Sequence, residues 1–77
     1  MNLLKYFNKK VRLTDNDKKV TEGVVVIYTP AIDNPENIDS IALNIDGVDR
    51  VLHEFEESEI INIEIIAANT HSFAVAV

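Results

Sequence analysis

Residues 11–28 read VRLTDNDKKVTEGVVVIY, the best-patterned stretch of the chain. Val11 and Leu13 alternate with Arg12 and Thr14, the period of two that marks a half-buried strand. Asp15, Asn16, Asp17 and Lys18 follow as turn residues. A longer β-branched run comes next, with Val20, Val24, Val26 and Ile27 on either side of Gly23. Glycine inside a strand marks a sharp bend or a close backbone approach. A short strand, a polar turn and a long strand bent at glycine form the opening of a small, strongly curved barrel.

The rest of the chain extends that pattern. Leu3, Leu4 and Phe7 have helical spacing behind Asn2, a side chain suited to an N-cap, so residues 2–8 are predicted to form a short helix that lids the barrel. The first strand is predicted over 9–14 and the second over 19–29. Residues 29–37 hold two prolines, two asparagines and an aspartate, which exclude a regular ladder. A third strand is predicted over 38–45, with Ile41, Leu43 and Ile45 facing one way. Asp46-Gly47 is a hairpin signal. The fourth strand is predicted over 48–55, and Glu56-Glu57-Ser58 form an acidic turn. In the fifth, over 60–66, Ile61, Ile63 and Ile65 alternate with Asn62 and Glu64. These elements predict a mainly β fold, a small SH3-like barrel of five strongly bent antiparallel strands with a short N-terminal helix. The runner-up is a five-stranded oligonucleotide-binding barrel, and the short connections favour the smaller type. Residues 1–66 form the domain. Residues 67–77 form a tail in which Phe73, Val75 and Val77 alternate with small residues, as an extra strand or a subunit contact.

Composition narrows the function more than the fold. Seventy-seven residues make one small domain, near the size at which a single core is only just sufficient. There is no cysteine and no tryptophan, so aliphatic side chains must build that core without disulfide or thiolate–metal support. Such domains often complete their burial by oligomerisation. Lys5 and Lys9 interrupt any signal-peptide run, and no stretch approaches the ~20 apolar residues that span a bilayer. A cytoplasmic protein with no membrane partner is expected. The net charge of −6 divides unevenly. Residues 1–23 carry Lys5, Lys9, Lys10, Arg12, Lys18 and Lys19 against Asp15, Asp17 and Glu22, whereas residues 24–77 carry Arg50 against ten carboxylates.

At Lys10-Val11-Arg12-Leu13, Asp15 to Lys19 and Glu22-Gly23-Val24-Val25, with Tyr28 where an aromatic is common, the chain resembles the first motif of the Sm-like family. Phe55, Ile60 and Ile63 take the apolar places of that family's second motif. The resemblance covers about residues 3–66. It implies an N-terminal helix, five bent strands, and assembly by pairing the fourth strand of one subunit with the fifth of the next. It also implies an RNA pocket built from an Arg and a Gly of the second motif and an Asn at the start of the third strand. Here Glu56 and Glu57 stand at the Arg and Gly positions, and Ser40, preceded by Asp39, stands near the Asn position. A carboxylate aimed at a phosphate repels it, so Asp39, Ser40, Glu56 and Glu57 are a degenerate pocket in which Ser40 alone remains able to bond a base.

No other constellation points to chemistry. His53 and His71 have no cysteine beside them, Asp15-Asn16-Asp17 lacks the glycine and terminal glutamate of a calcium loop, and Glu54, Glu56, Glu57 and Glu59 read as a solvated acidic turn. Gly23 and Gly47 make no phosphate-cradling loop. An enzyme, a cofactor and a small-molecule substrate are not expected. The leading expectation is a homo-oligomeric structural or protein-interaction module whose edge is Ile61, Ile63 and Ile65. The alternative is RNA or single-stranded nucleic-acid binding through a basic face of Lys5, Tyr6, Lys9, Lys10 and Arg12, with Tyr6 stacking on a base.

Overall fold

The computed structural model describes residues 2–45 and 51–68. Five antiparallel strands form one sheet: β1 (Lys9–Asp15), β2 (Val20–Thr29), β3 (Ser40–Asn44), β4 (Leu52–Glu56) and β5 (Ile60–Ala68), in the spatial order β4-β3-β2-β1-β5. The predicted Asp46-Gly47 hairpin and the start of the predicted fourth strand lie outside the described residues, as does the tail from residue 69. Ala67 and Ala68 belong to β5, so the strand runs two residues past the boundary drawn from the sequence.

One core draws on every strand. Val11 and Leu13 of β1, Val25 of β2, Ile41 and Leu43 of β3, Phe55 of β4 and Ile60 and Ile63 of β5 form a single buried cluster with Leu3 and Tyr6. A flat sheet cannot gather all five strands on one cluster, so this one must curl. The curl has visible causes. Gly23 lies where its missing Cβ would stand 2.5 Å from the Asn44 carbonyl oxygen, so β2 closes on the end of β3 only because no side chain is there. Register shifts leave Val26 unmatched between β2 and β3, and Ile61 and Ile66 unmatched between β1 and β5. Each unpaired residue bends its strand and raises its twist.

The sheet is not closed into a barrel: among the described residues β4 and β5 are its two free edges. The link between these two edge strands is residues 57–59. They form a single 3-10 turn flanked by extended residues, with Glu56 and Glu59 bonding each other's backbone in a capping box. This corner sends the chain out of β4 and across to β1, where β5 pairs from Asp15 to Lys9.

The N-terminal element is also shorter and differently faced than the predicted helix. It is a 3-10 turn over Leu3–Tyr6, capped as expected by the Asn2 side chain, which accepts from the Leu4 N–H. With three residues per turn, positions i and i+3 share a side. Leu3 and Tyr6 therefore enter the core, while Leu4 and Phe7 are exposed. Asn8, at φ 65°, then swings the chain into β1 and donates its N–H to the Val25 carbonyl at 2.7 Å.

Candidate assembly edges and the degenerate pocket

The four pocket positions are brought together. Ser40 pairs with Glu56 across β3 and β4, and the Glu57 N–H donates to the Asp39 carbonyl at 2.8 Å. Their side chains, however, are spent on structure. Ser40 is 1% exposed; its hydroxyl donates to Glu54 Oε2 at 3.0 Å and accepts from Asn34 Nδ2 at 3.1 Å. Buried and bonded to both neighbours, this hydroxyl is engaged within the fold. Asp39 Oδ1 accepts from the Ala31 N–H at 2.7 Å, and Oδ2 accepts from the Tyr28 hydroxyl at 3.3 Å. Partial burial, then the Asp39 charge, raises the Tyr28 pKa above its ordinary value. Asp39 and Ser40 thus pin the 30–39 loop onto the sheet.

Glu56, the position that the sequence resemblance set against an arginine, stands amid more carboxylates. A hydrogen bond with Glu36 is the largest cause of its raised pKa, followed by desolvation and the charges of Glu36, Glu59 and Glu54. The arrangement favours a proton and disfavours a phosphate. No three His, Cys, Asp or Glu side chains among the described residues converge to hold a metal ion.

The basic face is divided. Arg12 lies between Glu22 on β2 and Glu64 on β5, its Nε donating to Glu22 at 2.7 Å and its Nη1 standing 3.5 Å from Glu64. The Glu22 hydrogen bond, then its charge, raises the arginine's pKa further. Lys10 shares this outer face. Lys9 alternates to the other side, and Lys5 sits on the N-terminal turn with Nζ 5.2 Å from the Tyr6 ring centroid. Tyr6 is only 8% exposed, so the ring meant to stack on a base is a core side chain, and Phe7 is the exposed aromatic in its place.

The edge isoleucines do not form one stripe. Ile63, opposite Leu13, is 8% exposed and belongs to the core, whereas Ile61, the unmatched residue of a bulge, is 55% exposed and Ile65 is 45% exposed. On the other edge, Leu52 is 46% exposed and Val51 just before it is also open to solvent. Sequence reasoning missed Val51 and Leu52; the signal was two adjacent apolar residues that break the strand's alternation.

The remaining candidates are structural. Asp15 Oδ1 accepts from the N–H groups of Asp17 and Lys19 at 2.9 and 3.1 Å, so the Asp-Asn-Asp run builds a turn. Asn16 ties that turn to the corner, through its N–H to Glu59 O at 3.0 Å and Nδ2 to Ser58 O at 3.2 Å. His53 lies 4.8 Å from the Phe55 ring, at the margin of an open cleft shared with Asp15, Asp17 and Glu59. His71 falls outside the described residues. No helix among the described residues is long and apolar enough to cross a membrane. The chain matches no family model, no curated protein and no solved structure.

Proposed function

We propose that this chain is a divergent Sm-like module that assembles edge to edge, β4 of one copy pairing with β5 of the next, and serves a structural or protein-interaction role. The observation that carries the reading is the pair of open edges, each bearing exposed apolar side chains: Leu52 on β4, Ile61 and Ile65 on β5. Free backbone donors and acceptors on an apolar edge seek a partner strand. Two unlike edges on one molecule make a head-to-tail contact, which closes into a ring when the rotation allows. The resemblance to the Sm-like family calls for that same pair of strands. The acidic surroundings of Glu56 favour a protein contact over a nucleic acid at the family's pocket.

Light scattering of the purified chain tests this. A multimer is expected, and the exposed-site double variant Ile61→Lys/Ile65→Lys should convert it to a folded monomer with an unchanged circular dichroism spectrum. Ile63→Lys should instead unfold the chain, because it puts an unpaired charge in the core. A wild-type monomer, or a double variant of unchanged mass, would remove the reading.

A further inference from the structure

The outer face of the sheet beside the β4 edge carries an apolar groove of about 330 Å³. Ile27, Ala42 and Glu54 stand in one cross-strand row, and Leu52 flanks them, two pairs further along β4 on the same face. The small Ala42 forms the floor, with Ile27 and Leu52, both exposed, as the walls. Glu54 closes one end with its carboxylate bound to the buried Ser40 hydroxyl.

The segment that follows β5 has a composition suited to this groove. Residues 69–77 read NTHSFAVAV: Phe73, Val75 and Val77 alternate with small residues, and no Asp or Glu is present in a chain whose net charge is −6. A segment without acidic side chains approaches the Glu54 and Glu56 edge without side-chain repulsion.

Resting on the edge-to-edge assembly above, we infer that residues 69–77 of one copy dock on the β3–β4 outer face of the next, with Phe73 seated between Ile27 and Leu52 over Ala42. Reach selects the neighbour. On its own sheet the segment leaves β5 at the far edge and must pass β1 and β2 before it reaches Ala42 on β3, three strand spacings or about 14 Å. It would cross the outer row that holds Lys10 and Arg12. The five residues from 69 to 73 extend about 17 Å, so that path leaves almost no slack. A β5 seated on a neighbour's β4 starts one spacing, about 5 Å, from that β4 and two from Ala42. The same five residues then suffice with length to spare. An extended segment adding to a sheet beside a strand edge, with pockets for alternate side chains, is a recurrent mode of peptide capture.

Because the chain has no cysteine, single substitutions report this contact directly. Leu52→Cys protein is mixed with Phe73→Cys protein and oxidised gently, beside a control mixture of Glu22→Cys with Phe73→Cys. Seating Phe73 by the groove raises its effective concentration there, so the first mixture should crosslink at least about tenfold faster than the control. A disulfide that forms only within the doubly substituted Leu52→Cys/Phe73→Cys chain, at unchanged covalent mass, would place the segment on its own sheet and overturn the inference. Multimers that never crosslink in either arrangement would overturn it while leaving the edge-to-edge assembly intact. Monomers in light scattering would remove both.

Discussion

At the scale of single residues, Gly23 and Glu56 carry the sharpest physical demands. A Cβ at position 23 would meet the backbone carbonyl of Asn44, which cannot swing away as a side chain can. Gly23→Ala should therefore lose about 1–3 kcal/mol in urea unfolding, the usual cost of overpacking. An unchanged midpoint would mean that the strands do not approach so closely. Glu56 is the electrostatic counterpart. Its pKa lies above that of an unfolded glutamate, so the folded chain holds the proton more tightly. That contribution to stability is complete below the ordinary glutamate pKa and is lost as pH rises through the raised value. Glu56→Gln retains a carbonyl for the Glu59 N–H and an amide to donate to Glu36, without the charge. It should melt at a higher temperature than the wild type at neutral pH, and the difference should vanish in acid below the glutamate range. A glutamine variant that melts no higher at neutral pH would show that the carboxylate cluster costs nothing. The need for glycine at 23 was legible in the sequence as a break in a β-branched run. The proximity of Glu36 to Glu56 was not, because it arises from a loop folding back across β3.

At the scale of elements, two short corners decide the path of the chain. The Asp15–Lys19 turn was legible because Asp and Asn bond their own backbone a few residues on. Asp15 Oδ1 does so twice, and Lys18 takes a positive φ of 64°. Asp15→Ala should cost about 1 kcal/mol, since both N–H groups can turn to water, while Asp15→Asn keeps most of that stability. Equal denaturation midpoints for the two variants would exclude a role for the carboxylate oxygen. The second corner, at 57–59, was expected only as an acidic turn. Its capping box shapes the link from β4 to β5, which pairs with β1 at the opposite edge of the sheet. The N-terminal element shows the same limit. Leu3, Leu4 and Phe7 fit an α-helical spacing, but a four-residue turn adopts three residues per turn and buries Leu3 and Tyr6.

At the scale of the whole molecule, what matters is where charge and apolar surface end up. The basic N-terminal third does not present a uniform face, since Arg12 is held between Glu22 and Glu64 and Tyr6 is inside the core. Short single-stranded RNA should therefore leave the particle mass unchanged, at low salt as at high. A gain in mass at low salt, abolished by Lys9→Ala/Lys10→Ala, would return weight to a nucleic-acid role. Part of the exposed apolar surface, at Leu52, Ile61, Ile65 and Ile27, lies at the two edges and on the groove beside β4, where assembly would cover it.

The succession of strands along the chain, the turn at 15–19, the bend at Gly23 and most of the core could be read from the sequence alone. These follow from local rules: alternation of side chains, backbone bonding by Asp and Asn, and the room that a missing Cβ leaves. Tertiary structure alone decided which apolar residues stay exposed, that Ser40 and Asp39 secure a loop instead of lining a pocket, and that the sheet keeps two free edges. Bulges at Ile61, Ile66 and Val26 shift the alternation part-way along a strand, and neither their position nor the angle of the 57–59 corner is encoded by any period in the residues themselves. Both emerge only when all five strands compete for one small core.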